Sequence, residues 1–132
     1  MATFTTLEQA KEFFSRDEFA ASMGIQLDDI TDDSCVCSLK LRDDFRNVYG
    51  SVMGGAIFTL GDFAFAVLTN QLHKPTVGLQ VSINFLNPSK GDELIAYAHC
   101  HKNGRTTSVI NIDIVDDTGR DIAQFVGTGY KM

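Results

Sequence analysis

The sequence predicts an α+β domain in which one antiparallel sheet curls around a single buried helix. Three observations carry that expectation. Met53 to Thr69 reads MGGAIFTLGDFAFAVLT, apolar on every helical face, and a helix of that kind must be covered all round. Four later stretches alternate with the period of a strand: Val77 to Phe85, Leu94 to Cys100, Ile110 to Ile114 and, more weakly, Ile122 to Thr128. Turn residues separate them, namely Asn87-Pro88 with Gly91, Asn103-Gly104, and Asp117 to Gly119. Short turns between long alternating strands predict antiparallel neighbours.

The elements before the long helix follow from the same reasoning. Thr6 can cap a first helix, with Gln9 at the matching capping-box position. Leu7, Ala10, Phe13, Phe14 and Ala21 keep a helical period, which predicts one amphipathic helix over Leu7 to Ala21, ended by Gly24. Ile25 and Leu27 begin a short strand; Cys35, Cys37, Leu39 and Leu41 alternate in a second. Arg42 to Ser51 is polar and aromatic without a period, hence a loop. No repeat or linker interrupts the pattern, so residues 1–132 read as a single domain.

Composition narrows the function classes. The chain has 132 residues, 44% of them hydrophobic, enough for one core. Seventeen acidic residues against 11 basic ones give a net charge of -6, and no basic cluster exists to meet nucleic-acid phosphates. The start, MATFTTLEQAKEFF, has no basic n-region leading into an apolar stretch. The apolar run Gly54 to Leu68 is interrupted by Thr59 and Asp62 and falls short of the ~20 residues of a membrane span. Three Cys without C-x-x-C spacing suggest neither a disulfide framework nor a zinc knuckle. The expectation is a cytoplasmic protein with no nucleic-acid or membrane partner.

Two features of the long helix carry chemistry. Asp62 is the one ionisable side chain within Gly54 to Leu68. Burying a lone carboxylate costs several kcal/mol unless it is paired or opens onto a polar cleft. It is therefore either a working acid or base, or a structural group at a wet helix edge. Gly54-Gly55 occupies the predicted first turn, where missing side chains expose N–H groups at the positive end of the helix dipole. That arrangement suits an oxyanion, and it equally suits close packing against another element. His99, Cys100 and His101 form a dense trio with the two His on one strand face, short of the ligands a metal needs. Cys35 and Cys37 read as core, and Phe13, Phe14, Phe63 and Phe65 as packing groups rather than a ligand box.

The stretch Asn47-Val48-Tyr49-Gly50-Ser51-Val52-Met53-Gly54-Gly55, with Asp62 seven residues after the second Gly, resembles the signature of hotdog-fold acyl-CoA thioesterases. It is most similar to the branch named after the phenylacetic acid degradation thioesterase. The resemblance continues through Asn84 to Pro88, Gly91-Asp92, Gly104 to Thr106 and Asp117 to Gly119. It implies a hotdog fold and hydrolysis of acyl-CoA thioesters, without a metal or other cofactor. It implies Asp62 as nucleophile or general base, the Gly54 N–H as the group that polarises the thioester carbonyl, and Asn47 as the residue that positions water or the acyl group. Met53 and Gly55 would border the substrate, with Met53 standing where the family usually has His; a thioether neither donates a hydrogen bond nor carries charge. Lys102 and Arg105 resemble strand-end cations that meet coenzyme A phosphates, though ordinary solvated turn charges have the same pattern. The family's hydroxyl opposite the acid falls near Gly78, with Thr76 and Gln80 expected on the same face.

The resemblance also implies a homo-oligomer, a dimer or a tetramer of hotdog dimers. Helix geometry gives a reason for a shared site: Gly54 and Asp62 are eight positions, ~12 Å, apart along one helix, too far to act on one carbonyl from the same chain. A non-catalytic acyl or acyl-CoA binding protein is the competing reading. A hotdog dehydratase fits less well, since such enzymes use a His near the helix start and none lies from Asn47 to Leu72.

Overall fold

The computed structural model describes residues 2–132. Helix α1 (Leu7–Phe14) and helix α2 (Glu18–Met23) precede strands β1 (Gln26–Ile30) and β2 (Ser34–Lys40). A 3-10 turn at Asp43–Phe45 leads to helix α3 (Gly54–Leu72), followed by β3 (Thr76–Phe85), β4 (Glu93–Asn103), β5 (Thr107–Asp116) and β6 (Asp121–Lys131). All six strands join one sheet in the order β1-β2-β4-β5-β6-β3, every neighbouring pair antiparallel.

The alternation of the sequence becomes the inner face of that sheet. Leu94, Ala96 and Ala98 of β4, Ile110, Ile112 and Ile114 of β5, and Ile122 and Phe125 of β6 are buried against Leu60, Ala64, Val67 and Leu68 of α3. Each fully buried aliphatic side chain stabilises by ~1.5–3 kcal/mol relative to exposure. Two glycines set how closely the helix seats. A Cβ at Gly61 would lie 2.7 Å from the Phe125 ring, and one at Gly127 2.5 Å from Phe65. Cys35 and Cys37 are buried, as expected; a hydrogen bond with Cys35, then burial, pushes the Cys37 thiol well above its ordinary pKa. None of the described helices is long and apolar enough to cross a membrane.

Four expectations are corrected. The single helix over Leu7 to Ala21 is two helices. Thr6 caps α1 by accepting from the Gln9 N–H at 3.1 Å, and the chain then turns at Ser15 to Asp17, where Asp17 adopts ψ 80°. The turn lets Phe14 and Ala20 both face the core. Gly24 ends α2 with φ +85°, a left-handed conformation that glycine adopts without strain. Within Arg42 to Ser51, expected as plain loop, the 3-10 turn and an Arg46–Val52 bridge organise the chain.

The third correction concerns β3 and β4, which are not neighbours. Leu86 and Asn87 donate to Ile122 O, and Ser89 Oγ and Lys90 N donate to the Asp116 carboxylate. The connection thus crosses the ends of β6 and β5 before entering β4. Asp116 is only 1% exposed and also accepts from Thr118 N, Thr118 Oγ1 and Arg120 N. Asn87-Pro88 with Gly91 marks a crossover, whereas Asn103-Gly104 and Asp117 to Gly119 do make hairpins. The fourth correction is to the cover of α3. A stripe through Gly55, Thr59, Asp62 and Ala66 is left partly open.

Candidate active site

The approach to α3 is built by hydrogen bonds from Asn47. Its Oδ1 accepts from Tyr49 N at 2.9 Å and Ser51 N at 3.2 Å, its own N–H donates to Ser51 O, and Gly50 turns the loop with φ +78°. Met53 N donates to Phe45 O at 2.7 Å, which fixes where the helix begins. Asn47 therefore shapes the loop with the oxygen of its side chain. The same loop projects Val48 and Tyr49 into solvent, 94% and 88% exposed.

Two glycines then open the helix. The first amide in the turn with a partner is Ala56, which donates to Met53 O; among the described residues, no acceptor reaches the Gly54 or Gly55 N–H. Met53 gives no side-chain cap and is 50% exposed. The Phe85 ring from the end of β3 lies against Gly54. Two unpartnered N–H groups at the positive end of a 19-residue helix form a donor site for an oxygen carrying developing charge.

Asp62 lies on the open stripe, eight residues from Gly54. It borders a cleft of about 250 Å³ with Thr59, Phe63 and Ala66 of α3, opposite Asp17, Phe19 and Ala20 of the α2 segment. Partial burial, and next the negative charge of Asp17, raise the Asp62 pKa above its ordinary value. A second cleft, about 380 Å³, holds Met53 and Gly55 and shares Thr59 and Phe19 with the first. The two form one furrow from the helix start to the carboxylate, walled by α2. Sequence reasoning missed that wall. Asp17 has the position of an N-cap yet makes no capping bond, and Phe19 is a large apolar residue left exposed.

Lys102 and Arg105 lie elsewhere. Their β4–β5 hairpin is joined to the end of β6 by Lys131 Nζ, which donates to Asn103 Oδ1 and Gly104 O. The end of β6 pairs with Thr76, just beyond the C-terminus of α3, and α3 is roughly 28 Å long. Within one chain these cations are remote from Gly54. A bulge between Gly78 and Gln80 corrects another expectation: Gly78 stays on the helix side, near Phe65, while Gln80 turns to the opposite face from Thr76. His101 likewise occupies a bulge between Cys100 and Lys102, and His99 and His101 are both exposed.

Comparison with known proteins identifies the family and the fold. The thioesterase superfamily model matches residues 49–123. An acyl-coenzyme A thioesterase of Escherichia coli, PaaI, is 29% identical over 126 residues, covering 95% of this chain and 90% of that protein. The solved structure of E. coli PaaI superposes with a TM-score of 0.89 at 27% identity, covering 95% of this chain and 91% of that one. A hypothetical thioesterase from Streptococcus pneumoniae, solved with coenzyme A, gives a TM-score of 0.83 at 30% identity, covering 90% and 96%. The curled sheet, its central helix and these matches together assign the chain to the thioesterase superfamily, as a hotdog-fold thioesterase of the phenylacetic acid degradation branch.

Proposed function

We propose that this chain is a cytoplasmic, homo-oligomeric hydrolase of acyl-CoA thioesters whose active site is shared between two copies. The observation that carries the proposal is the open stripe of α3, with unpartnered N–H groups at Gly54 and Gly55 and a carboxylate of raised pKa at Asp62. The thioester carbonyl oxygen accepts from the Gly54 N–H of one copy. The Asp62 of the other attacks the carbonyl carbon directly or takes a proton from the attacking water. The tetrahedral oxyanion stays on the amide until the carbon–sulfur bond breaks. On the water route the departing thiolate takes its proton back from Asp62; on the direct route water then hydrolyses the acyl–Asp62 anhydride, freeing the acid and supplying that proton.

Sharing follows from distance. Donor and attacking group must both come within ~3–3.5 Å of one carbonyl, and ~12 Å of helix separates them in a single chain. The exposed Val48 and Tyr49 on the loop before α3 support a partner's approach at that end. A two-fold dimer supplies the pair twice. Asn47 belongs to the Gly54 half of each site through the loop it holds, and Lys102 and Arg105 are the cations offered to the phosphates of coenzyme A. The S. pneumoniae relative solved with coenzyme A supports that choice of thiol.

Thiol release from a panel of acyl-CoAs tests the activity; binding without release would favour the non-catalytic reading. Mixing a Gly54→Pro chain with an Asp62→Asn chain tests the sharing. Each homo-oligomer should be inactive, while exchanged subunits regain partial activity because one site of each mixed pair keeps both groups. No recovery after proven exchange would mean that each chain builds its own site.

A further inference from the structure

Phe63 separates two clefts. In front lies the cleft that holds Asp62, about 250 Å³. Behind, between α1, α2 and β1, lies another of about 310 Å³ whose apolar wall includes Phe14, Ile25 and Leu27. Among the described residues, Phe63 alone borders both. Its ring is buried and packs edge to face on Phe14, with centroids 5.9 Å apart.

We propose that Phe63 is the end wall of the acyl site and sets the length of acyl group the protein accepts. The inference rests on the reading that thioesters are cleaved at Asp62. A carbonyl within reach of that carboxylate puts the adjoining acyl carbons in the front cleft. Asp17 and Glu18 are exposed lining residues of the cleft, and an apolar chain gains nothing from their hydrated carboxylates. The chain therefore lies along the apolar lining of the cleft, over Phe19 and Ala66, and stops at the buried Phe63 ring. The apolar space continues on the far side, closed to it. The substrates that fit are short-chain or compact aryl acyl thioesters, and longer chains are refused by one side chain.

The test is kcat/KM across a saturated acyl-CoA series for the wild type, Phe63→Ala and Phe63→Leu, with folding checked by circular dichroism. Each methylene newly admitted to an apolar site is worth about fourfold. The ratio of long-chain to short-chain kcat/KM should rise at least tenfold in Phe63→Ala and by less in Phe63→Leu, which also serves if the alanine variant fails to fold. Adding Ala21→Phe, which fills the rear cleft from α2, should return the ratio toward the wild type. An equal loss at every chain length would show Phe63 to be a packing residue and overturn the proposal alone. A wild type that cleaves neither the series nor phenylacetyl-CoA would overturn the thioesterase reading and this proposal with it.

Discussion

The rim of the Phe85 ring stands 3.2 Å from the point that a Cβ on Gly54 would occupy, so the last residue of β3 rests directly on the first turn of α3. The contact couples the sheet edge to the proposed oxyanion donor. Phe85 is 55% exposed and can swing away, so Gly54→Ala should fold with a stability loss below about 1 kcal/mol. Displacing the ring and crowding the amide should still lower kcat about tenfold or more, since small misplacements at a reacting carbonyl are costly. Gly54→Ala with Phe85→Ala should recover part of that loss. A double variant no faster than the single one would place the damage at the amide itself.

The pH profile should carry the mark of Asp62. Its pKa is raised first by partial burial and then by Asp17, and only the ionised carboxylate can attack or accept a proton. The acid limb of kcat/KM should lie above the ordinary carboxylate range. Asp17→Asn removes the second cause and leaves the first, so the limb should move down without reaching the ordinary value. Asp62→Asn should lose at least ~100-fold in turnover. Stability should move the other way. A group whose folded pKa is raised supports the fold at low pH and loses that support as pH rises through the folded value, so Asp62→Asn should be no less stable at pH 7. Thermal melts at pH 4 and pH 7 check the sign.

Asp116 makes the opposite case. Burial opposes its charge, but hydrogen bonds from Thr118, Lys90, Arg120 and Ser89 outweigh that and hold its pKa far below the ordinary value. Its stabilising effect is complete above the unfolded pKa of about 3.9 and fades as pH falls toward the folded value. Asp116→Ala should cost about 3 kcal/mol at pH 7 by orphaning the Lys90 and Arg120 amides. It should also flatten the acid side of the denaturation profile. A variant as stable as wild type at pH 7 would mean that the crossover is held by other bonds.

Met53→His tests what the thioether does at the helix start. The side chain is half exposed in the furrow beside the unpartnered amides, so an imidazole fits without disturbing the core. One added donor to the developing charge should raise kcat about tenfold on at least one acyl-CoA, equivalent to ~1.4 kcal/mol of barrier. Unchanged or lower rates on every substrate, in a folded variant, would show that Met53 belongs to a different arrangement of the site.

What could be read in the residues was whatever local periodicity encodes. The alternation in Ile110 to Ile114 and the apolar run of α3 specify their own burial, and both hairpins follow from Gly104 and Gly119. Pairing over long range is not local. The Asn87-Pro88 turn looks like a hairpin until Asp116, nearly thirty residues later, captures the Lys90 amide. The break at Asp17 was hidden because Phe13, Phe14 and Ala21 keep a helical period across it. In the site, Gly54 and Asp62 stood out as exceptions within an apolar helix. Phe19 and Phe85 did not, because an aromatic residue in an amphipathic stretch carries no sign of which neighbour it will meet.

The position of α3 within the chain has a consequence for its synthesis. The helix is complete at Leu72, while four of the strands that cover it, β3 to β6, are encoded after it. A ribosome releasing the chain from its N-terminus exposes Ile57, Leu60, Phe65 and Leu68 before their partners exist, and β3 waits for the final strand, since Thr76 pairs with Lys131. At ~5–20 residues per second that interval lasts several seconds. The nascent chain then presents an adhesive helix to its surroundings, and the last eleven residues of the sheet finish the cover on its strand-facing side.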